Sequence, residues 1–363
     1  METNRRRKGR KLLAAGIAGA AAAGATVFAV QFASAEEAAQ DAQACVRTAL
    51  PIPEGLVSTG VSGMSDDGSV IAYYALPLDQ SWPDGLGAFP RLYSDGEVTD
   101  VPMPGDHPRL YDANSAAEAA GYATGSNGRD VPYLWSGGEL TALPAGEDGG
   151  RAMGINEGGD VAGLRQTFDG GVPVVWPADG SDPVELPLPE GAKSGVAHDI
   201  GDDGFVVGAY YDENGTATAY SWTADGEGAA LPVPEGVEGV FAIATDLNGD
   251  WASGQLWVSG EGEKAAGVRW NLAEGTVERT GLDHEVAVSA DGTVAGFVPG
   301  TVTKAAYQAG DEVVELPGVA VPEWGGDAAE EISADWTLIA GDVYIETDDA
   351  GLPVTNAVVW DCA

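Results

Sequence analysis

Gly154-Ile155-Asn156-Glu157-Gly158-Gly159-Asp160-Val161-Ala162-Gly163 is followed by Pro173-Val174-Val175-Trp176 and then by Glu185-Leu186-Pro187. The unit returns as Asp199-Ile200-Gly201-Asp202-Asp203-Gly204 with Val207-Gly208, Tyr220-Ser221-Trp222 and Leu231-Pro232. Further copies run through Met64–Ala72, Asn114–Gly121, Leu247–Gly254, Val288–Gly296 and Ile332–Gly341. The small residue closing each copy is Ala72, Gly121, Gly163, Gly208, Gly254, Gly296 or Gly341, at intervals of 49, 42, 45, 46, 42 and 45 residues. An aromatic mark follows at Tyr93, Trp135, Trp176, Trp222, Trp270, Tyr307 and Trp360. Two independent marks in the same order, seven times, at a period of about 40–50 residues define propeller blades of four short strands. The expected fold is all-β: a seven-bladed β-propeller of four-stranded antiparallel blades.

Working outward from the fourth copy, apolar alternation and turns place strand A over 196–200, strand B over 205–210, strand C over 218–223 and strand D over 229–232. Asp225-Gly226 and Asn214-Gly215 lie between strands, where a positive φ is needed cheaply. Across the chain, 53 Gly and 21 Pro argue against a mainly helical protein. Blade five has a shortened A–B turn and lacks the Leu-Pro of strand D. The chain finishes at Asn356–Ala363 as a strand C without a strand D, while Cys45-Val46-Arg47-Thr48-Ala49-Leu50-Pro51 reads as a strand D without a blade. Joining the two ends places Leu50 nine residues after Trp360, the spacing from Trp222 to Leu231. The N-terminal strand is therefore expected to complete the last blade and cover its edge. Cys45 and Cys362 then flank what is a C–D turn elsewhere, close enough for a disulfide.

The charge is uneven. Arg5, Arg6, Arg7, Lys8, Arg10 and Lys11 precede an uncharged apolar stretch from Leu12 to Phe32, which closes on Ala33-Ser34-Ala35. These are the three parts of a secretory signal peptide, so residues 1–35 are expected to be removed, with 36–44 a short linker and 45–363 the propeller. Two cysteines that pair suit the oxidising destination of a secreted, extracellular protein. Removing the signal leaves 11 Lys+Arg against 56 Asp+Glu, a net of −45. That field repels phosphate backbones, so nucleic acid is excluded as a partner. No membrane association is expected after cleavage, and the chain is expected to be a monomer.

By its I-N-x-x-G-x-V-x-G and V-x-W marks, the chain resembles the HAF family of extracellular repeat proteins of bacteria over residues 45–363. The second blade departs most, because Ala113-Asn114-Ser115-Ala116-Ala117-Glu118 lacks the turn glycine. The resemblance implies a secreted repeat propeller and brings no catalytic motif.

Chemistry is sparse. There is no G-x-S-x-G, no Ser-x-x-Lys and no H-E-x-x-H. His107 and His284 read as loop residues. His198 stands where other blades have Ser62, Tyr111, Met153, Thr245, Val286 and Glu330, and reads as a tolerated strand-A variant. Asp246-x-Asn248-x-Asp250 begins like a calcium loop but puts Trp251 at the glycine position and Trp257 at the glutamate position. No cofactor is expected beyond weakly bound divalent cations. Trp135, Trp176, Trp222, Trp270 and Trp360 share one register of strand C and read as packing between blades. Trp82, Trp257 and Trp324 fall outside the repeat and are placed in the B–C or D–A connections, which share one face. That face also takes seven of the eleven remaining cations, Arg129 and Lys264 among them. Aromatics and cations on variable loops of a rigid scaffold suit binding. The expected function is a binding module for a glycan or cell-envelope polymer through Trp82, Trp257, Trp324, Arg129 and Lys264; the alternative is a carbohydrate-active hydrolase or lyase using acids at the channel mouth.

Overall fold

The computed structural model describes residues 45–77, 88–237, 240–258, 264–300, 302–318, 326–347 and 353–363. The expected signal peptide and linker, residues 1–44, lie outside the described residues. The described chain forms seven four-stranded antiparallel sheets, one per repeat. After β1 (Val46–Ala49), blade one comprises β2 (Leu56–Met64), β3 (Val70–Pro77), β4 (Phe89–Ser94) and β5 (Glu97–Asp100). Blade two comprises β6 (Asp106–Ala113), β7 (Ala119–Thr124), β8 (Asp130–Ser136) and β9 (Glu139–Ala142). Blade three holds β10 (Gly150–Ile155), β11 (Val161–Thr167), β12 (Gly170–Trp176) and β13 (Val184–Glu185). Blade four, β14 (Ser194–Ile200), β15 (Val206–Tyr211), β16 (Ala217–Trp222) and β17 (Gly228–Ala230), follows the strands expected from the sequence within two residues. Blade five is β18 (Val240–Asn248), β19 (Trp251–Val258), β20 (Lys264–Asn271) and β21 (Thr276–Arg279). Blade six is β22 (Asp283–Val288), β23 (Val294–Val298), β24 (Lys304–Ala309) and β25 (Glu312–Glu315). The seventh sheet runs β26 (Ala328–Ile332), β27 (Leu338–Thr347), β28 (Pro353–Asp361) and finally β1, so the N-terminal strand closes the ring. Cys45 and Cys362 form a disulfide beside that closing strand.

A bulge in strand A explains the glycine of the repeat. In six blades the A–B register slips by one at the same place, between Ala152 and Gly154 in blade three and between Ala197 and Asp199 in blade four, for example. The extra residue is Ser62, Tyr111, Met153, His198, Thr245 or Glu330. Crowding opposite the bulge leaves no room for a side chain on strand B. A Cβ on Gly121, Gly163, Gly208, Gly254 or Gly341 would stand 2.0–2.1 Å from a carbonyl oxygen of strand A.

The other two marks meet across blade boundaries. Nε1 of Trp176, Trp222, Trp270 and Trp360 donates to the carbonyl of Pro144, Pro187, Pro232 and Pro317 respectively, at 2.7–2.9 Å. Each tryptophan thus reads the Leu-Pro of the blade before it, while its ring fills the space between the sheets. Trp222, Trp270 and Trp360 are fully buried. At the closing joint the donor is instead Tyr73, whose hydroxyl reaches the Pro51 carbonyl at 3.1 Å.

Candidate functional site: an acidic axial channel and a loop face

The innermost strands of all seven blades, with the A–B turns of blades one, three, four and five, line a cavity of about 760 Å³. Acids recur in it because one register of strand A, immediately after the bulge, reads Gly63, Asp112, Gly154, Asp199, Asp246, Ala287 and Glu331 around the ring. Three of these carboxylates tie one blade to the next. Asp112 accepts the N–H of Ala113 at one oxygen and that of Ile155, in blade three, at the other, both at 2.8 Å. Asp199 accepts from Ile200 at 2.7 Å and from Leu247, in blade five, at 2.8 Å. Asp246 accepts from Val288, in blade six, at 2.5 Å. Asp342 on β27 does the same at the closing joint, accepting from Val61 at 2.8 Å.

Burial pushes the Asp112 and Asp199 carboxyls well above the usual carboxylate range, overcoming their backbone donors, and neighbouring negative charge adds to the rise. Asp246 is also raised by burial, against the donors of Val288 and Leu247 and a hydrogen bond from Asp199. Burial and then the charges of Asp246 and Asp112 hold Glu331 well above the range too. At the mouth, Asp66 is pushed up to about 6 by burial and by Asp246. It accepts Nδ2 of Asn248 at 2.9 Å, a bond from blade five to blade one that skips the two blades between them. His198, the extra residue of its bulge, is pushed down to about 4 by burial, and its Nε2 has no hydrogen-bond partner. Asp246 and Asn248 of the calcium-like segment are therefore engaged with other blades. Among the described residues no group of three or more His, Cys, Asp or Glu is arranged to hold a metal ion.

The B–C and D–A connections form the opposite end of the strands. Of the eight large apolar side chains exposed among the described residues, Ile52, Phe168 and Val233 lie in these connections, and Phe89 and Ile345 lie on the strand ends that border them. Phe168, at the tip of the β11–β12 hairpin, is 98% exposed. The other three, Val46, Val184 and Val313, sit on outer strands, and none is on an A–B turn. Beside them the half-buried rings of Tyr211, Phe241 and Trp257 run from blade four to blade five, with centroids 6.4 and 4.9 Å apart.

The residues singled out in the sequence separate as follows. Trp82 and Trp324 lie outside the described residues. Trp257 is not in a connection but within β19, paired with Ala265, because strand B of blade five continues to Val258 and the indole packs edge-on against Phe241. Arg129 does sit on the B–C loop of blade two. Its Nη1 meets Asp148 at 2.9 Å and donates to the Glu147 carbonyl. Lys264 opens β20, and its side chain lies outside the described residues. Of the other loop-face cations, Arg151 pairs with Asp130, Arg165 with Glu185 and Lys304 with Glu315. His107 and His284 are not in loops: His107 lies in β6 with φ 50° at a register shift, and His284 lies in β22. The tie carboxylates were hidden in the sequence by the abundance of acids. For Asp112, Asp199 and Asp246 the shared register, the first residue after the strand-A bulge, is the signal that marks them.

No family model matches the chain, and no curated protein sequence matches it. Among solved structures, the acylaminoacyl peptidase of Pyrococcus horikoshii is similar over 84% of this chain and 51% of its own, at 14% identity and a TM-score of 0.53. This chain spans about half the length of that peptidase. A putative TolB from Agrobacterium tumefaciens aligns over 63% of this chain and 83% of its own, at 13% identity and a TM-score of 0.45. The likeness is one of fold alone.

Proposed function

We propose that this chain is a secreted, HAF-type binding propeller that holds a glycan or cell-envelope polymer on its B–C/D–A face. The observation that carries the reading is the run of half-buried rings Tyr211–Phe241–Trp257 on that face, with exposed Phe168 one blade away. Flat apolar ring faces beside a wet rim offer sugar rings contact area at low entropic cost. The basic-apolar-AxA start of the chain and the Cys45–Cys362 disulfide support export. Arg129, held by Asp148, would serve the rim rather than the centre of such a surface. The channel acids support the hydrolase alternative less well, because Asp112 and Asp199 spend both carboxyl oxygens on backbone donors. A polysaccharide array and affinity electrophoresis test the reading. Binding is expected that Trp257→Ala weakens at least tenfold, with Phe168→Ala weakening it less. No retention by any polymer, or retention unchanged in both variants, would overturn it.

A further inference from the structure

Every outer strand but one is joined by a peptide turn to the strand it covers. β5, β9 and β25 follow β4, β8 and β24 after two residues each, Asp95-Gly96, Gly137-Gly138 and Gly310-Asp311. β1 covers β28 without such a turn. Val46 pairs with Asp361, and the Cys45–Cys362 bond, which joins positions 317 residues apart, stands where the turn would be. The strand has little else to hold it. All four of its residues are exposed, and the buried side chains flank it, Cys45 at one end and Leu50 at the other. Leu50 donates its N–H to the Ala357 carbonyl at 2.8 Å and shares a core cluster with Tyr73 and Ala357. None of these contacts requires β1 and β28 to belong to one chain, and β28 without a partner strand is an open edge.

A second copy of the chain is singled out by the hinge behind β1 and by the surface beside it. Between Leu50 and β2 run Pro51-Ile52-Pro53-Glu54-Gly55, exposed or half-buried and outside any strand. Five residues span at most about 18 Å when extended. A β1 that leaves its own ring therefore reaches only a ring whose closing joint lies alongside. At that joint Ile52 in the hinge, Phe89 at the start of β4 and Ile345 near the end of β27 are all exposed. All three belong to the loop-face side of blades seven and one. Two joints held side by side would cover these apolar side chains against each other, a gain that the single ring lacks. We propose that, until the Cys45–Cys362 bond forms, β1 docks on β28 of a second copy as well as on its own, giving a two-fold dimer of closed rings that the bond then locks. In the dimer Cys45 of each copy meets the partner's Cys362, so oxidation links two chains through the same pair of residues that otherwise closes one. In either arrangement the two thiols pass two electrons and two protons to a disulfide oxidant. The exchange engages blades seven and one, whereas the rings of Tyr211, Phe241 and Trp257 lie on blades four and five, so it is independent of the polymer-binding reading.

Refolding of the reduced chain tests it. Equal amounts of unlabelled and heavy-nitrogen chain are mixed in urea and refolded at one concentration and at a tenfold higher one. Oxidised glutathione is added once folding is complete, and non-reducing electrophoresis and mass spectrometry read the product. The expected result is a covalent dimer whose share rises at least threefold at the higher concentration. Its cross-linked peptides should join Cys45 to Cys362, with pairs of one labelled and one unlabelled peptide among them. Ile52→Ser with Phe89→Ser should lower the dimer share at least threefold and leave the thermal midpoint of the monomer unchanged. The oxidised monomer, already locked, should stay monomeric when concentrated. Should refolding end in aggregation, the folded chain reduced in place with dithiothreitol and reoxidised at both concentrations supplies the same comparison. Absence of a dimer at both concentrations, a dimer joined Cys45 to Cys45 or Cys362 to Cys362, or linked peptides never of mixed label would overturn the proposal. So would a dimer share unchanged in the surface variant, or equal dimerisation of the oxidised monomer.

Discussion

Ala117 has φ 58° in the A–B turn of blade two, at the position where Gly159 has φ 84° in blade three. The two turns are otherwise bonded alike: Ala117 and Gly159 donate to Asn114 and Asn156, three residues back. The left-handed conformation costs a residue with a Cβ about 1–2 kcal/mol, and glycine gives back roughly 0.4–1 kcal/mol through the freer unfolded chain. Ala117→Gly is therefore expected to stabilise by about 0.5–1 kcal/mol, and Gly159→Ala to destabilise by a similar amount, both read from urea midpoints. A midpoint that falls in Ala117→Gly would contradict this account. The missing glycine was visible in the sequence as a departure from the repeat; that the backbone keeps the turn regardless was not, since Asn114, whose Oδ1 accepts the N–H groups of Ala116 and Glu118, is itself held by its Nδ2 donating to the Asn156 carbonyl of the next blade. Gly208 shows the other kind of requirement. Its φ is ordinary, but a Cβ there would stand 2.0 Å from the Val196 carbonyl, so Gly208→Ala should cost well over 1 kcal/mol by forcing the bulged strand away.

Strands C and D carry the aromatic and Leu-Pro marks of the repeat, and the meaning of these two emerges only between blades. The period, the order of strands and the closure by the N-terminal strand were legible because apolar alternation and turn residues are local signals. The bond from each indole to the proline carbonyl one blade earlier joins residues 32–43 positions apart, so nothing local announces it. The irregular blades fit the same rule: blade five lacks Leu-Pro, and blade six, which would read it, carries Tyr307 instead of Trp. That tyrosine leans on Trp336 of the next turn, with ring centroids 5.8 Å apart. Trp257 was misplaced for a related reason, because an aromatic outside the repeat register looks like a loop residue until the strand lengths are known. Trp270→Phe removes the 2.7 Å bond to Pro232 and leaves that carbonyl without its donor. The expected cost is about 2 kcal/mol, from the unmet acceptor and the smaller ring. Chemical denaturation should show it as a shifted midpoint with an unchanged slope; a shift below about 0.5 kcal/mol would mean that the bond is dispensable.

For the whole molecule, the ties between blades make stability depend on the protonation of the channel. Asp112, Asp199, Asp246 and Glu331 are all raised by burial, and Asp66 is raised to about 6. A carboxyl whose folded pKa lies above its unfolded value stabilises the fold fully below the unfolded value and loses that contribution as the pH rises through the folded one. For Asp66 the window runs from 3.8 to about 6, and the four inner acids act in the same direction, each losing its contribution as the pH rises through its raised folded value. His198 acts in the opposite sense: with a folded value of about 4 against 6.5, it stabilises above 6.5 and loses that contribution as the pH falls through 4. Asp67 and Asp335, lowered by hydrogen bonds from Ser69 and Thr337, also lose their contribution in acid. Five raised acids in a chain of strongly negative net charge outweigh these. The urea midpoint is expected to be higher at pH 5 than at pH 8, reversing the order usual for proteins held by ionised carboxylates. Asp66→Asn should flatten the change between pH 4 and 6, and Glu331→Gln should also reduce the loss of stability as the pH rises, while the Cys45–Cys362 bond keeps the ring closed throughout. A midpoint that rises steadily from pH 5 to 8, or one whose pH dependence is untouched by both substitutions, would show that these carboxyls ionise in the folded ring without penalty.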